Sequence, residues 1–327
     1  MASPLRDASA HTPHESARPT RNVDRGATPA SRAQLGLTDL SLLLMALIWG
    51  VNFSVVKYGT TVIDPLAYNA VRVALAAVSL VLIAHIFARG DSTVAGWPAR
   101  RDALALVGLG ALGNGLYQAF FVEGVARTRA SDAALVIAAT PAFIALFGRM
   151  RGVERISRRG MLGIALSIAG IALVVAGTAD EGAARRATLI GDLLILAGAL
   201  CWAVFAVFLQ PYTQRIGGLH LSALTMVGGM IPLLAIAAPA LSTTHWRTVP
   251  ALAWVAITYS GLGALVIAYL FWYHGVRVLG PTRTAMYSNV QPVFAVLAAW
   301  IVLGEVPTAL QSVGAVSILT GLVLTRA

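Results

Sequence analysis

DLSLLLMALIWGVNF, residues 39–53, and DLLILAGALCWAVFA, residues 192–206, are two versions of one pattern: an aspartate, nine mostly apolar positions, then Trp49 or Trp202. Each opens a stretch of membrane length. The correspondence continues outward: Phe121, Gly124, Pro141, Phe143, Glu154, Gly163 and Gly170 recur at a constant offset of 151 as Trp272, Gly275, Pro292, Phe294, Glu305, Gly314 and Gly321. The chain therefore contains one unit twice. Each unit holds an odd number of apolar segments, so the second copy is predicted to lie inverted, with a substrate site between the halves as in many carriers.

Composition sets the solvent. A chain of 327 residues with 57% hydrophobic and 12% charged residues, and a mean hydropathy of +0.76, has more apolar surface than one soluble core could hide. The bilayer can take it. A helix of about 20 residues, rising 1.5 Å per residue, spans the roughly 30 Å of hydrocarbon. Ten runs of that kind occur, near 38–57, 67–87, 102–124, 131–149, 160–178, 188–209, 219–239, 251–273, 284–302 and 308–325. Barrel strands would be alternating segments of about ten residues, which these continuous runs are not. The predicted fold is an all-α integral membrane protein with ten transmembrane helices in two inverted five-helix repeats, 38–178 and 188–325. A disordered basic cytoplasmic tail, 1–37, precedes them. That tail is rich in Ser, Thr, Pro, Ala and Arg, and no cleavable signal is read in it.

Basic residues set the orientation. With the tail cytoplasmic, seventeen of the 24 Lys and Arg fall on the inner side and six on the outer, Arg72 lying within the second span. Both termini are therefore predicted to be cytoplasmic. The net charge of +10 is spread over inner loops, which points to anionic lipid headgroups as its partner and away from nucleic acid. Cys201 is the single cysteine and reads as a small core residue. Gly108, Gly110, Gly113 and Gly115 sit inside the third span, where small residues let helices approach closely. No metal-ligand spacing, phosphate loop or nucleophile triad stands out, so neither metal nor cofactor is expected. His220, His245 and His274 are scattered, which argues against an embedded enzyme.

Two five-span repeats, each opening on a Trp-bearing helix, with Pro141 or Pro292 inside the fourth helix and Glu154 or Glu305 before the fifth, resemble the EamA family of the drug/metabolite transporter superfamily. The likeness covers about residues 38–325. It implies ten helices, alternating access and export of small metabolites from the bacterial inner membrane. Members of similar build export aromatic and other amino acids. Ten helices in one chain could enclose a cavity unaided, so a functional monomer is expected.

Helical spacing narrows the candidate binding residues. Asn114, Tyr117, Gln118 and Phe121 are spaced i, i+3, i+4, i+7 and share a face, and polar groups turned to lipid would cost several kcal/mol. Thr284, Tyr287, Ser288 and Gln291 repeat that spacing in the ninth span. Their repeat mates differ in kind: Leu265, Ala268, Tyr269 and Trp272 for the first set, Ala133, Val136, Ile137 and Thr140 for the second. A cavity with polar and aromatic patches results, suited to an amphiphilic solute such as an amino acid. Trp49, Asn52 and Phe53, with Trp202 and Phe205, lie deep enough to join it. Two readings of the polar faces stand side by side, a binding pocket or interhelical hydrogen bonds worth about 0.6 kcal/mol each. Trp272 and Tyr273 lie near a span end, where an interfacial aromatic belt competes with a pocket role. Pro141 and Pro292 each remove a backbone donor and are predicted to bend their helices.

Charges bear on mechanism. Asp39, Asp132 and Asp192 fall at span starts and Glu123 near an end, leaving no carboxylate in the central portions. Proton-coupled antiport needs one there, so facilitated export is favoured. Glu123 is expected to pair with Arg127 or solvent, with a proton site there as the alternative, and Glu154 and Glu305 to cap or orient the fifth and tenth helices. Arg72, about five residues inside the second span, either receives a substrate carboxylate or, as is commoner near a span end, snorkels outward or meets carbonyls of a neighbouring helix. The alternative function is a proton-coupled drug exporter or a nucleotide-sugar exporter of the same superfamily.

Overall fold

A computed structural model describes residues 29–90, 97–152, 157–177, 182–213, 215–279, 284, 287–288 and 290–326. Among them the regular elements are all helical. In hydrocarbon an unpaired backbone group costs several kcal/mol, and a helix pairs its own. Eight helices are long and apolar enough to cross a membrane: α1 (Gly36–Val62), α2 (Pro65–Ile86), α3 (Arg100–Arg127), α4 (Ala130–Met150), α5 (Arg158–Ala176), α6 (Ala184–Thr213), α7 (Gly218–Thr243) and α8 (Ala251–Gly275). Two shorter apolar helices follow, α9 (Gln291–Leu303) and α10 (Ala309–Leu324). Thr284, Tyr287 and Ser288 ahead of α9 are also helical. Helix continues backward from α1 to Pro29, so the last part of the tail read as disordered is helical; Pro29 suits a first helical position, and Ala30, Ala33 and Gln34 are good helix formers. Residues 1–28 and Glu154 lie outside the described part.

Alanines share the inward faces of the helices with larger side chains such as Tyr68 and Leu80, while other large apolar side chains turn outward. On α2, Ala70, Ala76, Ala77 and Ala84 are buried while Val78, Leu82 and Ile86 are exposed. Lipid is as apolar as leucine, so helices associate through close packing, which small residues allow. The packing partners follow the repeat: α5 lies against α10 and α2 against α7, α1 against α8 and α9, and α6 against α3 and α4. At the first seam a Cβ on Gly170 would come within 2.7 Å of the Gly314 carbonyl oxygen, and one on Gly321 within 2.4 Å of that of Gly163. Gly163 corresponds to Gly314 and Gly170 to Gly321, so the two equivalent helices pack antiparallel with their backbones in contact.

Irregularities fall in matching places. A π-helical segment interrupts α3 at Ala111–Leu116 and another interrupts α8 at Tyr259–Ile267. The offset of 151 carries the first into the second, and such segments concentrate at functional sites. In α4 the helix breaks at Ala139, and Val290 marks the same break before α9; Ala139 N–H donates to Val136 O (3.2 Å) and Val290 N–H to Tyr287 O (3.1 Å), equivalent bonds. Pro141 and Pro292 therefore lie in the first turn of new helical segments, where a missing N–H costs nothing.

Glu305 departs from its predicted role. Gly304 ends α9 in the left-handed region (φ 68°) and turns the chain so that the Glu305 carboxylate accepts from Ala130 N–H (3.0 Å), Ser131 N–H (2.9 Å) and Ser131 Oγ (2.6 Å). It caps α4 of the other half, with no such bond to α10. Glu305→Ala leaves those donors unpaired and is expected to cost about 1–2 kcal/mol, read as a melting temperature a few degrees lower in detergent. An unchanged melting temperature would show that water replaces the cap.

Candidate functional site

Trp49 stands thirteen residues from either end of α1, at mid-depth of the bundle. Tyr269 of α8 presents its ring edge to Trp49 (centroids 5.9 Å apart, planes at 83°) and to Trp202 (6.0 Å, 88°). The two tryptophans that mark the repeat thus meet on one tyrosine. Tyr117 packs on Trp202 at 5.1 Å and on Phe121 at 5.9 Å, Phe205 on Trp202 at 5.2 Å, and Trp272 on Trp49 at 6.0 Å. Trp272 therefore packs on this aromatic group, because α8 lies against α1.

Polar atoms are placed among these rings. The Tyr269 hydroxyl donates to Asn114 Oδ1 (3.2 Å), and Trp49 Nε1–H donates to the Ala264 carbonyl in the α8 π segment (2.9 Å). Asn114 is fully buried and its Nδ2 has no acceptor; Asn52, one turn beyond Trp49, is buried with Oδ1 unpaired. A buried unpaired amide costs about 1–3 kcal/mol, which a bound solute or water would recover. The remaining predicted residues disperse. Tyr287 donates to Asp39 Oδ1 (2.6 Å) at the far end of α1. Ser288 is partly buried with Oγ unpaired, and Gln291 is partly buried where α1 crosses α9 beside Gly50.

Gln118 leads to the residue that sequence reasoning misplaced. Arg72 is fully buried and does not snorkel. Its Nε donates to Asn69 Oδ1 (2.8 Å), Nη1 to Ser260 Oγ (2.8 Å) and Nη2 to Gln118 Oε1 (2.6 Å), while Asn69 Nδ2 donates to the Gln118 carbonyl (2.9 Å). The Phe121 and Tyr68 rings lie 5.6 and 6.0 Å from its Cζ. Side-chain acceptors from α2, α3 and α8 hold the guanidinium in place and remove the reason to reach for water. Ser260 and Gln118 are 188 and 46 residues away in sequence, so no local pattern marks them as partners of Arg72.

Polar contacts close the bundle at both ends. At one, Thr128 Oγ1 donates to Asp192 Oδ1 (2.6 Å), Gln311 Nε2 to Asp132 Oδ1 (2.8 Å), Arg129 Nη2 to Val306 O (2.9 Å) and Lys57 Nζ to Thr128 O (2.6 Å). At the other, Tyr287 meets Asp39, Thr38 Oγ1 lies 3.3 Å from His274 Nε2, and Arg215 pairs with Asp102 at 3.6 Å. Glu123 and Arg127 form an ion pair at the first end, as their spacing predicted. An apolar hollow of about 510 Å3 lies elsewhere, between α4, α5 and α6, lined by Phe143, Ile171, Leu189 and Leu196. Among the described residues, no group of three or more His, Cys, Asp or Glu is placed to hold a metal ion.

Residues 36–176 and again 189–327 match the EamA-like transporter family. The chain belongs to that family. Its relatives include the uncharacterized transporter YyaM of Bacillus subtilis (strain 168), 26% identical over 86% of this chain and 91% of the relative. An uncharacterized transporter of Archaeoglobus fulgidus is 30% identical over 89% and 97% of the two chains. A probable terminal-alkyne amino-acid exporter of Streptantibioticus cattleyicolor is 28% identical over 87% and 91%. A solved crystal structure shares the fold, with a TM-score of 0.61 at 20% identity over 89% of this chain and 97% of the other. The resemblance read from the repeat is thus shown: the EamA-like chain is a multi-pass membrane transporter and not an enzyme. Trp49 falls in its first matched segment and Trp202 in its second.

Proposed function

We propose that this EamA-like transporter is an alternating-access carrier exporting small amphiphilic metabolites, foremost neutral or aromatic amino acids, by facilitated diffusion. The observation that carries the reading is Tyr269 bridging Trp49 and Trp202 while Asn114 Nδ2 stays open beside it. Rings supply an apolar surface and the amide supplies a hydrogen-bonding point, the usual make-up of a small-molecule site. The probable terminal-alkyne amino-acid exporter of Streptantibioticus cattleyicolor among its relatives supports the substrate class. Ten crossings, inverted halves and two cytoplasmic termini in a bacterial inner membrane complete the proposal. The antiparallel packing of α5 and α10 supports inversion, and the end closures supply contacts that could open in turn.

Counterflow in liposomes tests this without an ion gradient. Protein loaded with phenylalanine is expected to exchange it for external labelled phenylalanine, saturably and with the membrane potential clamped at zero. Exchange appearing only under a proton gradient would replace facilitated diffusion with coupling; exchange of cationic drugs alone would replace the substrate class.

A further inference from the structure

We propose that Arg72 receives the carboxylate of the transported solute, so that the carrier selects cargo bearing an anionic group. The proposal rests on the carrier reading above and names the recognition element of its site. It begins from depth. Arg72 lies seven residues from the start of α2, Ser260 nine from the start of α8 and Gln118 nine from the end of α3. At 1.5 Å per residue that is about 10–14 Å of helix rise from one face of the bundle, within the hydrocarbon layer.

A charge at that depth is costly, and charges inside membranes pair with one another or mark solute pathways. Arg72 has only neutral acceptors: an asparagine, a glutamine and a serine. Among the described residues, no carboxylate forms an ion pair with it. Its cation is solvated without being neutralised.

The donor count shows what could complete it. A guanidinium carries five N–H groups in a planar fork. Three are engaged, one from each nitrogen, which leaves one N–H on Nη1 and one on Nη2. Both terminal nitrogens thus retain a donor, and a carboxylate accepts from such pairs with charge-assisted bonds about twice as strong as neutral ones.

Position links this fork to the aromatic group. Phe121, 5.6 Å from the guanidinium carbon, packs on Tyr117, which packs on Trp202. Gln118 is one turn along α3 from Asn114, whose Nδ2 is open. An amino acid could place its carboxylate on Arg72 and its side chain on the rings. A carboxylate taken by those two N–H groups leaves Ser260 and Gln118 on the guanidinium. The Arg72–Ser260 bond joins the first half to the α8 π segment of the second, so the solute would sit at the seam between the halves.

The test is competition against labelled phenylalanine counterflow by unlabelled phenylalanine, 3-phenylpropionate, phenylalanine amide and phenethylamine, with ligand-induced thermal stabilisation by the same four compounds read in parallel. The carboxylates are expected to compete and stabilise at concentrations at least tenfold lower than the amide and amine. Arg72→Gln should abolish that preference, Arg72→Lys should keep part of it, and Ser260→Ala, which keeps the charge but removes one of its three anchors, should keep most of it. If Arg72→Gln does not fold, the wild-type and Ser260→Ala comparisons still decide. Equal potency of phenethylamine and phenylalanine in the wild type, or an undiminished carboxylate preference in Arg72→Gln, would overturn the proposal while leaving the carrier reading intact. Absence of counterflow with stabilisation by carboxylates would sink the carrier reading alone, and absence of both would sink the two together.

Discussion

Gly228→Leu is expected to leave little correctly folded protein. A Cβ at Gly228 would lie 2.0 Å from the Val107 carbonyl oxygen, and across the same crossing a Cβ at Gly110 would lie 2.1 Å from that of Thr225. These obstacles are backbone atoms, so no side chain can swing aside and α3 and α7 must separate. Separation would also disturb the neighbouring contact of Ala76, Ala77 and Leu80 on α2 with Met226 and Leu233 on α7. Overpacking an ordinary core costs about 1–3 kcal/mol, and a backbone clash should exceed that range against a total stability of about 5–15 kcal/mol. The measurement is monodispersity and melting temperature of the purified variant in detergent. Gly108→Leu is the control, since nothing lies within 4 Å of its added Cβ, and it should behave as wild type. Equal behaviour of the two variants would mean that the α3–α7 crossing is looser than described.

Removing either central tryptophan is expected to lower transport at least tenfold, by different routes. Trp202→Ala strips the ring that meets Tyr117, Phe205 and Tyr269, and so opens the aromatic wall from the α6 side. Trp49→Ala removes the rings' contact on the α1 side and also the hydrogen bond to Ala264 O of the π segment. Large aromatic deletions in full burial cost about 3–5 kcal/mol; both tryptophans are only partly buried, so the loss should be smaller. Trp49→Ala should lower the melting temperature more than Trp202→Ala, and Trp→Phe at either position should restore part of the counterflow rate. Wild-type counterflow in both alanine variants would remove the aromatic group from the solute path.

Much of this was legible because its causes are local or periodic. The apolar runs specify helices wherever hydrocarbon is the solvent, and all but the ninth match described helices closely. The prolines mark equivalent points of α4 and α9, each two residues after a break at Ala139 or Val290. Asn114, Tyr117 and Gln118 were marked as an inward face by spacing alone. The structure divides them: Asn114 meets Tyr269, Tyr117 meets Trp202, and Gln118 meets Arg72. The π segment that ends at Leu116 alters the turn between them, and no residue pattern announced it.

The sequence by itself determined a duplicated chain of membrane helices, the family to which it belongs, and the tryptophans that mark each half, because hydropathy and repeat spacing are properties of residue order. Only the tertiary structure decided that Trp49 and Trp202 meet on Tyr269, that Glu305 caps a helix of the opposite repeat, and that Arg72 is enclosed rather than turned to the surface. Those outcomes depend on partners 46 to 220 residues apart. A side chain's surroundings in a membrane bundle are set by which helix lies beside it, and that choice is made by the shapes of whole helices packing together.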